Sequence, residues 1–205
     1  SSPFITENTE YVVAGTRFSV PPDHANGDVP INTYKQNFKG NVTFVSVNKD
    51  NGNMDIAFQI ETPGVNSDLS HAGKGPSHGW FFFSCYNTEQ ANTLLEVNAS
   101  KNDKDFIMAV NWKKAEEYIK AGKGKKVPVK YVHNKFNEET HTATTETLKE
   151  VTVLDSRELE GLCYFIPCPK SPHGCDVDPT GEYIVGSGKL AALIPVFSFT
   201  KMIKA

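Results

Sequence analysis

What is scarce in this 205-residue sequence excludes several classes of protein at once. Lys and Arg number 21 against 24 Asp and Glu, a net charge of −3, so the basic footprint that holds nucleic acid is missing. No apolar run approaches the length of about 20 residues that a membrane-spanning helix needs. The opening residues, Ser1-Ser2-Pro3-Phe4, carry no initiator Met, charged leader or apolar signal core, so any export signal has been removed or lies outside this sequence. Four cysteines, Cys85, Cys163, Cys168 and Cys175, are too few for a disulfide scaffold and form no Cys-x-x-Cys pair; they read as buried or free thiols. Gly73-Lys74 and Gly188-Lys189 lack the earlier glycine and the following Ser or Thr of a phosphate-binding loop. Ser171, His173 and Asp176 are residue types of a hydrolase triad, but no Gly-x-Ser-x-Gly elbow accompanies them.

Aromatic residues, by contrast, are plentiful: thirteen Phe and seven Tyr in a chain that is 39% apolar suffice for a sizeable core and argue against disorder. Strand signals recur along the chain. Residues 11–15 form a short candidate, and 41–48 and 54–60 read as a hairpin about the Lys49-Asp50-Asn51-Gly52 turn. The continuous apolar run at 80–86 predicts a strand buried on both faces, and 105–111 predicts the next. Residues 127–133 and 141–155 suggest a second hairpin with a polar edge, and 192–199 the last strand. Residues 19–32 and 63–79, rich in turn formers, are expected to be long loops. One short surface helix is predicted near 112–121, from the stripe Trp112, Ala115, Tyr118 and Ile119 with Gly122 as its stop. The expected class is all-β, of sandwich or propeller type, with no crisp internal repeat to decide between them.

The richest stretch lies at residues 170–190. Asp178-Pro179-Thr180-Gly181 has Pro at the second position and Gly at the fourth, as a tight turn favours. Cys175 and Val177 before it, and Tyr183-Ile184-Val185 after it, predict a hairpin with His173 at its mouth. Pro172 stiffens one side of that histidine and Gly174 lets backbone approach on the other, a suitable setting for a neutral imidazole held toward a metal. Read without further context, a turn histidine is more often a hydrogen-bonded surface residue. Of the other histidines, His71 and His78, and likewise His133 and His141, have no third ligand nearby and read as solvated loop residues, and His24 has no case. Residues 86–103 are rich in oxygen-bearing side chains that suit calcium, although ordinary turn chemistry explains them as readily.

Pro172-His173-Gly174, the short strand, the Pro-containing turn, the second strand and Gly188-Lys189-Leu190 together resemble the propeller domain of the nitrous oxide reductase family. The resemblance runs from about Tyr11 to the C-terminus and is firmest over 80–98, 103–122 and 171–199, while 133–150 does not align with the commoner form of the family. It implies that residues 1–205 form several blades of a seven-bladed β-propeller, part of a longer protein whose C-terminal cupredoxin domain is absent here. His173 would be one ligand of the family's catalytic tetranuclear copper-sulfide cluster, with Asp68 the carboxylate that orients a ligand histidine. Tyr86-Asn87-Thr88-Glu89 and Asp103 resemble the family's calcium loop, which implies calcium held by Tyr86, Glu89, Val97, Asp103 and Ser171, with Val97, Tyr86 and Ser171 acting through their carbonyls.

The family enzyme is a periplasmic homodimer of denitrification that reduces nitrous oxide to dinitrogen and water. Its electrons come from cytochrome c or a cupredoxin through a binuclear copper centre. With one cluster ligand, this chain by itself is expected to be inactive. The competing expectation is a non-enzymatic propeller-like binding module that keeps the same turn without copper.

Overall fold

Three up-and-down β-sheets succeed one another along the chain in a computed structural model that describes residues 3–16, 39–63, 67–85, 105–132, 136–137, 142–143, 146–169 and 171–204. The first runs through β1 (Phe4–Ile5), β2 (Tyr11–Gly15), β3 (Lys39–Val47) and β4 (Met54–Pro63), each antiparallel to the one before. The β3–β4 hairpin turns where the Asn48 carbonyl accepts the amide of Gly52, whose φ of +73° favours glycine. The second sheet opens with β5 (Ser67–Ala72), β6 (Trp80–Cys85) and β7 (Phe106–Asn111), again antiparallel in chain order.

The chain then leaves this sheet. Helix α1 (Trp112–Lys120) begins where the Asn111 side chain accepts the Lys114 amide, and it buries Trp112 and Ala115. It ends as expected at Gly122, φ +72°, with Gly122 N bonded to Ile119 O and Lys123 N to Tyr118 O, the paired bonds of a Schellman stop. Strands β8 (Lys125–Val132) and β11 (Glu146–Asp155) form the second hairpin, with a two-stranded ladder of β9 (Phe136–Asn137) and β10 (Thr142–Ala143) between them. Because β11 also lies parallel to β4, this hairpin extends the first sheet to six strands in the order β1-β2-β3-β4-β11-β8. Lysines and Pro128 on β8 discourage further pairing at that edge. Strand β12 (Cys163–Pro167) returns to β7 and completes the second sheet, β12-β7-β6-β5.

The third sheet comprises β13 (Cys175–Val177), β14 (Tyr183–Gly186) and β15 (Val196–Ser198), followed by the single turn of helix α2 (Phe199–Met202). Strand β5 contacts both β1 and β13, so the first strands of the three sheets are neighbours. Two apolar layers join the sheets. Phe81, Phe83, Met108 and Val110 meet Val13, Phe44, Phe58, Ile60 and Leu154 on one side. Phe82, Ile107 and Ala109 meet Cys175, Val177, Ile184 and Phe199 on the other. Alternate side chains of β6 thus enter different layers, which is why an unbroken apolar run forms this strand.

Two expectations are corrected here. Residues 63–79 are not one long loop: β5 and a 3-10 turn at Gly75–Ser77 lie within them. Ser67-Asp68-Leu69-Ser70-His71 has no apolar alternation, and its strand form comes from pairing with Phe81, Phe82 and Phe83 of β6. The last strand is also shorter than residues 192–199. Ser198 instead caps α2 by accepting the Lys201 amide, and Phe199 turns into the core against Trp80 and Phe82. The loops expected at 19–32 and in 86–104 lie outside the described residues.

Candidate functional site

The hairpin carrying His173 is built from its turn outward. Gly181 N donates to Asp178 O at 3.0 Å with Gly181 at φ +76°. The Asp178 carboxylate accepts from Tyr183 N, Thr180 N and Thr180 Oγ1, and these bonds hold it below the usual carboxylate range. Register then pairs Cys175 with Gly186 and Val177 with Ile184, leaving His173 two residues ahead of β13.

Both flanks of His173 are fixed. On one side Gly174 N donates to Ser187 Oγ at 2.8 Å and Gly174 O accepts from Ser187 N at 2.9 Å. On the other, Ser171 is fully buried at φ +54°, and its amide donates to Asp105 Oδ2 at 2.7 Å. Asp105 stands just ahead of β7, and its carbonyl also accepts the amide of Cys168.

Between these anchors the imidazole meets Asp68. His173 Nδ1 lies 2.7 Å from Asp68 Oδ2; the Asp68 side chain is 3% exposed and that of His173 58%. An ionised carboxylate only accepts, so the ring proton belongs on Nδ1 and the lone pair on Nε2. A buried acid therefore holds an exposed ring in the tautomer that can donate electron density through Nε2. Asp68 comes from β5 and His173 from the approach to β13, the two first strands that lie side by side. An open cleft of about 600 Å³ borders the turn at Gly174, with Asp176, Ser187, Lys189 and Leu193 in its walls.

Of the residues expected to bind calcium, Ser171 is described, while Tyr86, Glu89, Val97 and Asp103 lie outside the described residues. Cys85, which precedes that segment, pairs with Phe106, which follows it, and Asp105 touches Ser171. Asp105, the described residue just after that segment, thus reaches the His173 turn. Neither Asp105 nor Ser187 carries a sequence signal, because each acts on a turn far from it along the chain.

His71 and His78 are not the solvated loop residues expected. His71 lies on β5 with its ring 4.5 Å from that of Phe4. His78 is bracketed by Glu7 at 2.9 Å and Glu10 at 3.2 Å and stands edge-on to Trp112. His24, His133 and His141 lie outside the described residues. Among the described residues, no three His, Cys, Asp or Glu side chains converge on a common metal position. The cysteines are free thiols. Burial pushes Cys163 up to about 12 and Cys168 up to about 11, and raises Cys85 and Cys175 as well, so they stay protonated near neutral pH and serve as packing.

No family model matches the chain. It is 28% identical over 205 residues to the nitrous-oxide reductase of Pseudomonas fluorescens and 25% identical over 202 residues to that of Stutzerimonas stutzeri. Each match covers 95% of this chain and 26% of the relative, so the chain spans about a quarter of the length of these curated relatives. Along nearly its whole length, then, this chain is similar to about one quarter of nitrous-oxide reductase.

Proposed function

We propose that this chain is part of the propeller domain of a nitrous-oxide reductase, in which His173 is one ligand of a copper-sulfide cluster. The observation that carries this reading is the 2.7 Å bond from His173 Nδ1 to the buried Asp68, which leaves Nε2 as the outward donor. Imidazole suits copper, and a carboxylate behind the ring fixes its direction and raises its basicity. This donor therefore fits one corner of such a centre. The order of strands supports the propeller: three consecutive antiparallel meanders, with their first strands adjacent, are what blades around a common axis require. Asp68 lies on the first strand of the second meander and His173 just ahead of the first strand of the third.

When bound, the cluster supplies the electrons that reduce nitrous oxide to dinitrogen and water. This chain's own part is to aim one imidazole and to keep its proton on Nδ1, away from the metal-facing atom. The remaining ligands, the cupredoxin domain with its binuclear copper centre and the docking of cytochrome c or a cupredoxin belong to a longer, periplasmic, homodimeric protein. We further assign calcium to Tyr86, Glu89, Val97, Asp103 and Ser171. An ion held by Asp103 and Ser171 would tie together the same two segments that the Asp105–Ser171 bond joins.

His173→Ala in the full-length protein tests the reading. Cluster copper, measured by elemental analysis, and nitrous oxide reduction should fall together while the fold persists by circular dichroism. Unchanged copper content would overturn the assignment and favour a binding module that uses the turn without metal.

A further inference from the structure

A serine that precedes proline is steered toward extended backbone, because the proline ring crowds its amide and Cβ. Ser171 nevertheless stands at φ +54°, in the left-handed region that side-chain-bearing residues rarely adopt, and it is fully buried there. Something other than its own preference keeps it so. Asp105, itself 6% exposed, meets this residue with Oδ2 at 2.7 Å from the Ser171 amide, while its carbonyl takes the Cys168 amide at 2.9 Å. One residue thus grips the loop at two points, and a bond to a carboxylate is the stronger kind of hydrogen bond. Immediately after the strained residue, Pro172 fixes its own φ, and His173 follows.

We infer that Asp105 is a positioning residue for His173: by taking the Ser171 amide it holds the left-handed turn that presents His173 Nδ1 to Asp68. This rests on the reading of His173 as a ligand imidazole, but the orientation itself is observable without metal. The Gly174–Ser187 bonds secure the other flank and the Cys168 amide still meets the Asp105 carbonyl, so loss of the Asp105 carboxylate removes its hold on the Ser171 amide and leaves the rest in place.

The test uses the full-length protein and three changes: Asp105→Ala, Asp105→Asn, and Asp105→Ala combined with Ser171→Gly. Glycine occupies the left-handed region without strain, so the double variant restores the turn if holding that conformation is the role of Asp105. In metal-free protein, ¹⁵N NMR of the imidazole should report the Nδ1–H tautomer in the parent and a mixture of tautomers in Asp105→Ala. The double variant should recover the parent signature. Copper affinity, from competition with a chelator, should fall about 10-fold or more in Asp105→Ala and recover in the double variant. Asp105→Asn, which keeps an acceptor for the amide, should lie between and guards against a failure of the alanine variant to fold.

An unchanged tautomer in Asp105→Ala would overturn the inference, as would a loss that Ser171→Gly does not repair. A tautomer change with no effect on copper would spare the inference and sink the reading of His173 as a ligand.

Discussion

At the scale of single residues, the account turns on which nitrogen of His173 carries the proton. Asp68 decides this, since its oxygens can only accept while it is ionised. Asp68→Asn offers an amide group that can donate to Nδ1 as well as accept, allowing the ring proton to move to Nε2 and block the metal-facing atom. Copper affinity in the full-length protein should therefore fall about 10- to 100-fold, read by chelator competition, with little change in folding. Equal affinity in the two proteins would show that the carboxylate does not set the donor atom. The sequence exposes His173 because Pro172-His173-Gly174 is local, a signal carried by three adjacent letters. Its contact with Asp68 spans 105 positions, so no local pattern shows it, and family resemblance alone points to that acid. Asp105 looks like any acid ahead of a strand, and nothing in its neighbours tells that its partner is the Ser171 amide.

Among the secondary-structure elements, legibility follows the source of stability. Helix α1 is plain in the sequence because its apolar stripe and its stop at Gly122 are near one another, and the structure adds the cap at Asn111. Strand β6 is equally plain, since burial on both faces demands an unbroken apolar run. Strand β5 is hidden for the opposite reason: its residues are polar, its register shifts between Ser67 and Ser70, and only the pairing with β6 makes it a strand. Helix α2 is hidden because four residues carry almost no periodicity, and its geometry depends on the Glu182 side chain, which accepts from Ser198 and Thr200. The division of labour along β6 makes a stability prediction. Phe82 is fully buried in the layer shared with the third sheet, its ring 6.3 Å from Phe199. Phe82→Ala should cost about 3–5 kcal/mol in chemical denaturation, because the rigid sheets on either side cannot collapse into the cavity. A loss well under about 1 kcal/mol would mean that this layer does not bind the sheets together.

For the molecule as a whole, the informative feature is hydrogen-bond order, which no letter of the sequence prints. The three meanders share little sequence, so no repeat is visible. The excursion through α1, β8 and β11 interrupts the even spacing that would otherwise have betrayed them. That excursion spends β8 and β11 on lengthening the first sheet rather than on the second sheet from which it departs. Strand β5 contacts both β1 and β13, and the His173–Asp68 bond joins β5 to the residues just ahead of β13. Among the described residues no three His, Cys, Asp or Glu side chains converge there. The most direct measurement is anomalous diffraction at the copper edge from crystals of the full-length protein. The account predicts a copper peak within bonding distance of His173 Nε2, with Nδ1 still on Asp68; copper bound elsewhere with the His173 ring bare, or coordinated through Nδ1, would contradict it.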